Sequence, residues 1–414
     1  MAILLFAAIP SCSKDSSIPK GTVLSCVQPP FLSPGDKVAL LSPSYFTPME
    51  NVYKAADVIR EWGFEPVIGP NVGKTHLGKY GGTPEERISD LQWAMNDPSI
   101  KAIICNRGGY GTIRFVDLLP KDTFSADPKW LVGFSDITTI HEIETMTGVM
   151  SIHGTMGSFL AKTGGKDPSS QILRDLLTGT VPSYSVPAHP QNIPGKATGT
   201  LVGGNLCTFS PVLGTWADAT SGKDIILFIE EVEEDMSHLD RLINTLVLNG
   251  VFDRCKGVIL GEFSDCGANL DWGSVEEMIC SYLKKYHIPV LCGFPAGHDE
   301  TNFPLVMGAS VTIEVGPSES TLSFNIEGKT EPINTAIVSR SYGDSVPEGA
   351  ESLEIDKQSK FIRALNFMRY YDGPDLRIKK GKIVLRDSTS VVFPSPEDTL
   401  SPEDTLSPVD TISL

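Results

Sequence analysis

Residue types able to do covalent chemistry gather at three points where an apolar run gives way to polar residues. The first is Leu131-Val132-Gly133-Phe134-Ser135-Asp136-Ile137-Thr138. A serine on a strand-to-helix turn holds its Oγ in the open, and the N–H groups that begin the next helix point the same way. The N–H of Asp136 is then placed to hold a developing oxyanion. The pattern is not G-x-S-x-G, because Ile137 stands where that motif has its second glycine. Taken alone, Ser135 and Asp136 also fit a helix cap that accepts backbone hydrogen bonds.

The second point is Cys105-Asn106-Arg107-Gly108-Gly109-Tyr110-Gly111. Glycines after a buried strand let backbone N–H groups approach a ligand closely and could give a second oxyanion hydrogen bond. The other reading is a tight turn that needs positive φ. No G-x-G-x-x-G spacing and no P-loop lysine is present, so this is not a nucleotide fingerprint.

The third point is His298, in Gly297-His298-Asp299-Glu300 beyond a strand candidate at 290–293. A histidine on a polar loop past a strand fits a general base. Of the seven histidines, His76, His189 and His287 stand in polar or linker contexts, while His141 and His238 read as helical surface residues. His153, also at a strand end, is the second choice of base. A base needs an orienting acid. Ile225-Ile226-Leu227-Phe228-Ile229 runs into Glu230, the first carboxylate after five apolar residues and the one expected to be partly buried. The acids that follow it read as a solvated face.

These points need a scaffold that brings strand ends together. Strand candidates at 38–41, 101–105, 130–134 and 149–152 alternate with helical spacing at 49–62, 112–119 and 136–147. Thr83-Pro84-Glu85-Glu86 is a complete helix start: cap, proline, then acids. Such alternation implies an α/β fold with a largely parallel sheet covered by helices, with ligands gathering at the strands' carboxyl ends. Residues 165–198, rich in Gly, Pro, Ser and Asp, read as a linker with a small helix at 171–177. A second α/β or β-rich domain follows, with strand candidates at 199–202, 225–229, 257–260, 290–293, 311–315 and 322–326. Helices are expected at 237–249, capped by Ser237, and at 272–286. The resulting division is signal and tether 1–33, nucleophile domain 34–164, linker 165–198, second domain 199–328, an extension 329–390 with a helical stretch at 361–368, and a tail 391–414. That tail repeats SPEDTL with prolines and acids and reads as disordered.

The chain has 414 residues, 41% of them hydrophobic, and a formal net charge of -17. Such a charge argues against a nucleic-acid partner, which needs a basic face. The eight cysteines form no C-x-x-C pair, and they read as buried free thiols rather than a zinc site or disulfide framework. Apolar residues 2–9 are too short to span a bilayer and lead to Ile9-Pro10-Ser11-Cys12, like the end of a bacterial lipoprotein signal. Cys12 would then carry lipid, placing the protein in the bacterial cell envelope, periplasmic or at the surface, with membrane contact only through that anchor. A charged segment before the apolar run is missing, so an earlier start is expected.

In this order the segments resemble the LD-carboxypeptidase family of serine peptidases, which includes muramoyl-tetrapeptide carboxypeptidases and microcin-immunity peptidases. The matching pieces are Gly35-Asp36-Lys37-Val38-Ala39 with Ser42-Pro43, the Asn106 to Gly111 turn, the Gly133 to Thr138 turn, His153-Gly154, and Leu201-Val202-Gly203-Gly204-Asn205-Leu206. Leu227-Phe228-Ile229-Glu230, Gly261-Glu262-Phe263 and Gly297-His298 with Asn302, Pro304 and Gly308 complete them. The resemblance implies a Ser135–His298–Glu230 triad between two domains, with an oxyanion hole from the N–H groups of Asp136 and Gly109. It implies no metal or other cofactor, a homodimer, and a substrate derived from peptidoglycan: a tetrapeptide that loses its terminal D-alanine from an L-centre. Arg107 and Arg241 are candidates by charge for the free carboxylate. Gly108, Tyr110 and Asn302 come with the motifs as weaker substrate contacts. The alternatives are a microcin-immunity-like peptidase of a peptide–nucleotide or other amide conjugate, for which Trp216 or Trp272 could stack on a base, and a catalytically silent lipoprotein that binds cell-wall peptides. Lipoprotein sorting does not suit a cytosolic murein-recycling enzyme, so a cytoplasmic location is the other reading.

Overall fold

The computed structural model describes residues 21–267, 273–336, 338, 352–354, 376–379 and 382–385. Its first sheet grows from short apolar runs. Strands β1 (Lys37–Leu41), β2 (Glu65–Ile68), β3 (Ile100–Cys105), β4 (Trp130–Gly133) and β5 (Ser151–His153) lie parallel in the order β5-β4-β3-β1-β2. Alternate residues feed two separate cores. Ala39, Leu41, Ile103 and Leu131 join one with Ile88 and Leu91 of α2 (Pro84–Asn96); Val38, Leu40, Ile104 and Val132 join the other with Val52 and Ile59 of α1 (Met49–Glu61). Burial on both faces explains why these strands read as continuous apolar runs. Thr83 and Glu86 close a reciprocal capping box at the start of α2, worth about 1 kcal/mol.

Helices α3 (Thr138–Met146), α4 (Gly157–Thr163) and α5 (Pro168–Leu177) complete the first half. The helix expected at 112–119 is only a short tight turn, Thr112–Phe115. Residues 165–198, expected as a linker with one small helix, hold both α5, capped by Asp167, and strand β6 (Thr180–Pro187). Val181, Tyr184 and Val186 of β6 are buried, but the prolines and serines between them hide that pattern in the sequence.

The second sheet takes β6, β7 (Gly195–Asn205), β8 (Ile225–Val232), β9 (Cys255–Ser264) and β10 (Val290–Cys292). β7 to β10 are parallel. Strand β11 (Leu305–Met307) departs to pair antiparallel with β5, Leu305 opposite His153, so the second half of the chain supplies an edge strand to the first sheet. Strands β12 (Ser310–Val315), β13 (Glu319–Phe324) and β14 (Lys329–Asn334) give the order β10-β9-β8-β7-β12-β13-β6-β14. Outside the sheet lie α6 (Leu206–Phe209), α7 (Met236–Leu248) and α8 (Val275–Leu283). The cap of α7 is Asp235 rather than Ser237: Asp235 accepts from the His238 N–H, and Ser237 Oγ donates to Asp235.

All of this forms one compact unit ending at Val346. The unit from Pro347 contains a small antiparallel sheet in the order β15-β17-β16, from β15 (Ser352–Glu354), β16 (Leu376–Lys379) and β17 (Lys382–Leu385). The helical stretch at 361–368, the repeat tail at 391–414 and Cys12 lie outside the described residues. No described helix is long and apolar enough to cross a membrane.

Candidate active site

Ser135 lies just past the carboxyl end of β4, with φ at 63°. That is the left-handed region, which costs a residue with a Cβ about 1 kcal/mol or more. Neither Ser135 nor Asp136 caps the following helix: no side-chain cap bond forms at the Ser135–Ile137 turn or at α3. The helix-cap reading of this pair therefore fails.

The glycine turn after β3 packs directly on this serine. A Cβ on Gly108 would stand 2.7 Å from Ser135 Cβ and 2.9 Å from its Oγ, so only glycine permits the approach. A Cβ on Gly109 would run into the Tyr45 ring. Asp136 fastens the two turns together. Its buried carboxylate accepts from Ser44 Oγ at 2.7 Å and from the Thr112 N–H at 3.0 Å, and Thr112 Oγ1 donates to its carbonyl at 2.5 Å. Burial pushes the Asp136 carboxyl up, against the pull of these donors.

Glu230 is 0% exposed, near the carboxyl end of β8. Its Oε2 accepts from His298 Nδ1 at 2.7 Å, and Oε1 has no hydrogen-bond partner among the described residues. Burial alone would lower the His298 pKa, but the charge and hydrogen bond of Glu230, with Glu231 and Glu233 behind it, hold it above the ordinary histidine value. The His298 ring meets Phe134, the residue before Ser135, at 5.0 Å edge to face. A Cβ on Gly297 would press 2.9 Å from Glu262 Cβ and 3.3 Å from Glu230 Oε2, so glycine is needed beside the pair.

His153, the second choice of base, is fully buried; its Nε2 bonds Asn302 Oδ1 at 3.1 Å, and burial, with His141 and His298 nearby, holds its pKa well below the ordinary value. Asn302 is buried too. Its Oδ1 also accepts from the Gly297 N–H at 3.1 Å, and its own N–H donates to Ser169. It braces the histidine loop rather than facing an open groove. His141, expected on the surface, is buried between Ser151 Oγ and the Gly133 carbonyl. Glu231, expected on a solvated face, is buried and accepts from Asn205 Nδ2 and the Cys207 N–H.

Arg107 and Tyr110 are exposed beside the glycine turn, with the Arg107 guanidinium 5.9 Å from the Tyr45 ring centre. Arg241 is exposed on α7. Trp216 donates to the Val116 carbonyl at 3.0 Å beneath Lys121, and Trp272 lies outside the described residues. Tyr45 and Tyr80, their rings 5.8 Å apart, are contributions that sequence reasoning missed. The only trace of Tyr45 is its place directly after Ser42-Pro43-Ser44. The seven described cysteines are free thiols.

The arrangement offers an exposed-turn hydroxyl, a charge-supported imidazole and backbone donors, the parts of nucleophilic acyl transfer. Comparison with known proteins agrees. The model for the LD-carboxypeptidase N-terminal domain matches residues 38–154, and that for the LD-carboxypeptidase C-terminal domain matches 198–313. A putative carboxypeptidase of Synechocystis sp. is 34% identical over 313 residues, covering 75% of this chain and 99% of its own. A probable murein peptide carboxypeptidase of Bacillus subtilis is 30% identical over 322 residues, covering 73% of this chain and 99% of its own. The crystal structure of an MccF-like protein from Bacillus anthracis superposes with a TM-score of 0.64 at 25% identity, covering 72% of this chain and 99% of that one. The chain belongs to the LD-carboxypeptidase family of peptidases.

Proposed function

We propose that this enzyme removes the terminal D-alanine from murein tetrapeptides by acyl transfer through Ser135. The observation that carries the reading is the 2.7 Å bond from His298 Nδ1 to the buried Glu230. It commits Nδ1 to the carboxylate and leaves Nε2 as the basic nitrogen. Nε2 takes the proton of Ser135 Oγ as the oxygen attacks the carbonyl carbon. The oxyanion forms against the N–H groups of Asp136 and Gly109, each worth about 3 kcal/mol in the transition state. Nε2 then gives its proton to the leaving nitrogen and D-alanine departs. Water, deprotonated by the same nitrogen, cleaves the ester and restores Ser135.

The specificity follows in the test. Tetrapeptides ending in D-alanine and in L-alanine are incubated with the enzyme, and the released alanine is measured. Release from the D-epimer alone supports the reading; release from neither moves the substrate to another amide conjugate, the second reading favoured by the MccF-like fold.

Asp136 carries a further expectation. Asp136→Ala leaves Ser44 Oγ and the Thr112 N–H without their acceptor and loosens the glycine turn against the serine turn, where the bond from Thr112 Oγ1 to the residue-136 carbonyl remains. A misplacement of about 1 Å costs about 100-fold. We expect kcat to fall by about that factor with KM little changed, as steady-state kinetics would show; an equal rise in KM would mean a substrate contact instead.

Lipid attachment at Cys12, an envelope location and a homodimer complete the proposal. They rest on the sequence around Cys12 and on the family resemblance. Labelling with a fatty acid that disappears in Cys12→Ala tests the anchor.

A further inference from the structure

We propose that Cys280 and Cys292 are a disulfide site, closed while the chain folds in an oxidising compartment, and that the bond ties α8 to β10 at the root of the His298 loop. The proposal stands apart from the peptidase reading. It takes from the envelope location above only the place where an oxidant is met, and that oxidant is itself a disulfide, of a protein or a small molecule.

The two sulfurs are already neighbours. Cys280 stands on α8 and Cys292 ends β10, both are free thiols, and their Sγ atoms lie 3.8 Å apart, one thiol donating to the other. A disulfide holds its sulfurs at about 2.05 Å, so the bond asks for an approach of about 2 Å and no change of neighbours. Cys26 and Cys255, by contrast, donate their thiols to backbone carbonyls, those of Thr145 at 3.5 Å and Val251 at 3.4 Å.

One short segment clasps both elements and keeps the sulfurs in register. Ile193 and Val290 exchange two backbone hydrogen bonds of 3.0 Å. Asn192 Oδ1 accepts from the Cys292 N–H at 2.8 Å. The Gln191 carbonyl accepts from the Cys280 thiol at 3.4 Å, and Gln191 Nε2 donates to Glu277 Oε1 on α8 at 3.1 Å. Glu277 also closes a capping box with Ser274, which fixes where α8 begins. Beyond Cys292 the chain runs through Gly293 to Gly297 into His298. The Phe294 N–H donates to Leu260 at 3.0 Å, and Ala296 accepts from the Glu262 N–H at 2.9 Å. A crosslink at Cys292 anchors that run at its origin.

The chemistry is thiol–disulfide exchange. One cysteine thiolate attacks a sulfur of the oxidant's disulfide, and the oxidant's other sulfur leaves. The second cysteine then attacks the first and expels the remaining oxidant sulfur. One S–S bond forms in the protein and one breaks in the oxidant, whose two sulfurs take the two electrons and the two thiol protons. Cys280 and Cys292 are each 1% exposed in the folded chain, so the oxidant reaches them before α8 closes over β10. Oxidising compartments supply such disulfides, and the cytosol keeps thiols reduced.

The test unfolds the full chain in reductant and refolds it in an equal millimolar mixture of reduced and oxidised glutathione. Thiols are counted by alkylation and the crosslink is mapped by peptide mass. We expect two of the eight thiols to be lost, the Cys280 and Cys292 peptides to be joined, and Tm to stand about 5 °C above that of the reduced protein. Cys280→Ala should melt at one temperature in both states. Free thiols at both positions in the folded protein, a link from either to another cysteine, or a Tm gain that survives Cys280→Ala overturns the site. Alkylation inside cells reports location separately: free thiols there, with the crosslink formed in the mixture, leave the site standing and sink the envelope location alone.

Discussion

Ser135→Gly is expected to make the protein more stable and inactive at once. Ser135 sits at φ 63°, a conformation that glycine adopts freely and that costs other residues about 1 kcal/mol or more. Relief of that strain outweighs the loss of one small, partly exposed side chain. For a unit of this size about 1 kcal/mol corresponds to a rise of about 2 °C in Tm. Hydrolysis should fall by about a million-fold, since without a nucleophile only backbone donors and binding remain. Thermal melting and turnover, measured on the same preparations, check both halves. An unchanged or lower Tm would mean that the strain relieved is no larger than the freedom glycine adds to the unfolded chain, about 0.5–1 kcal/mol. Opposed effects on stability and activity are what a strained catalytic turn produces.

Glu230→Gln carries the second large effect. The amide keeps the size of the side chain but removes the charge that raises the His298 pKa. It also meets Nδ1–H with a group that can turn its NH₂ toward it and favour the wrong tautomer. A loss of about 10⁴ in kcat is expected. The pH profile should move with it. The base works as neutral imidazole, so activity is lost as pH falls through the His298 pKa. In the wild type that limb lies above the ordinary histidine value, because Glu230 outweighs burial. In Glu230→Gln burial is left with much less opposition, and the residual activity should persist to lower pH. A limb that stays in place would mean that another group controls it.

Elements with a complete local signal were legible in the sequence. The start of α2 is written in four consecutive residues, and the structure closes a full capping box there. β8 opens with five apolar residues that run into Glu230, and β4 is an apolar run that leads to the serine turn. Elements whose reason for existing is tertiary were not. β6 owes its place to β13 and β14 on either side, and its prolines and serines read as linker. β11 is three residues long, too short for any period, yet it delivers the His298 loop to β5. Within the site, the chemistry-bearing residue types stood out because strand ends leave polar groups beside apolar runs. Burial did not. Glu231 and His141 looked like surface residues and are enclosed, because short polar side chains and backbone groups from other elements satisfy them. The grouping of Tyr45, Tyr80 and Tyr110 left almost no trace, because they belong to three loops that only the sheet order brings together.

The most direct measurement is D-alanine release from a murein tetrapeptide by wild type and Ser135→Ala side by side, with a chelator present. The account predicts release by the wild-type enzyme alone, at a rate the chelator does not change. Release by both proteins would contradict it, because Ser135 would then be no nucleophile.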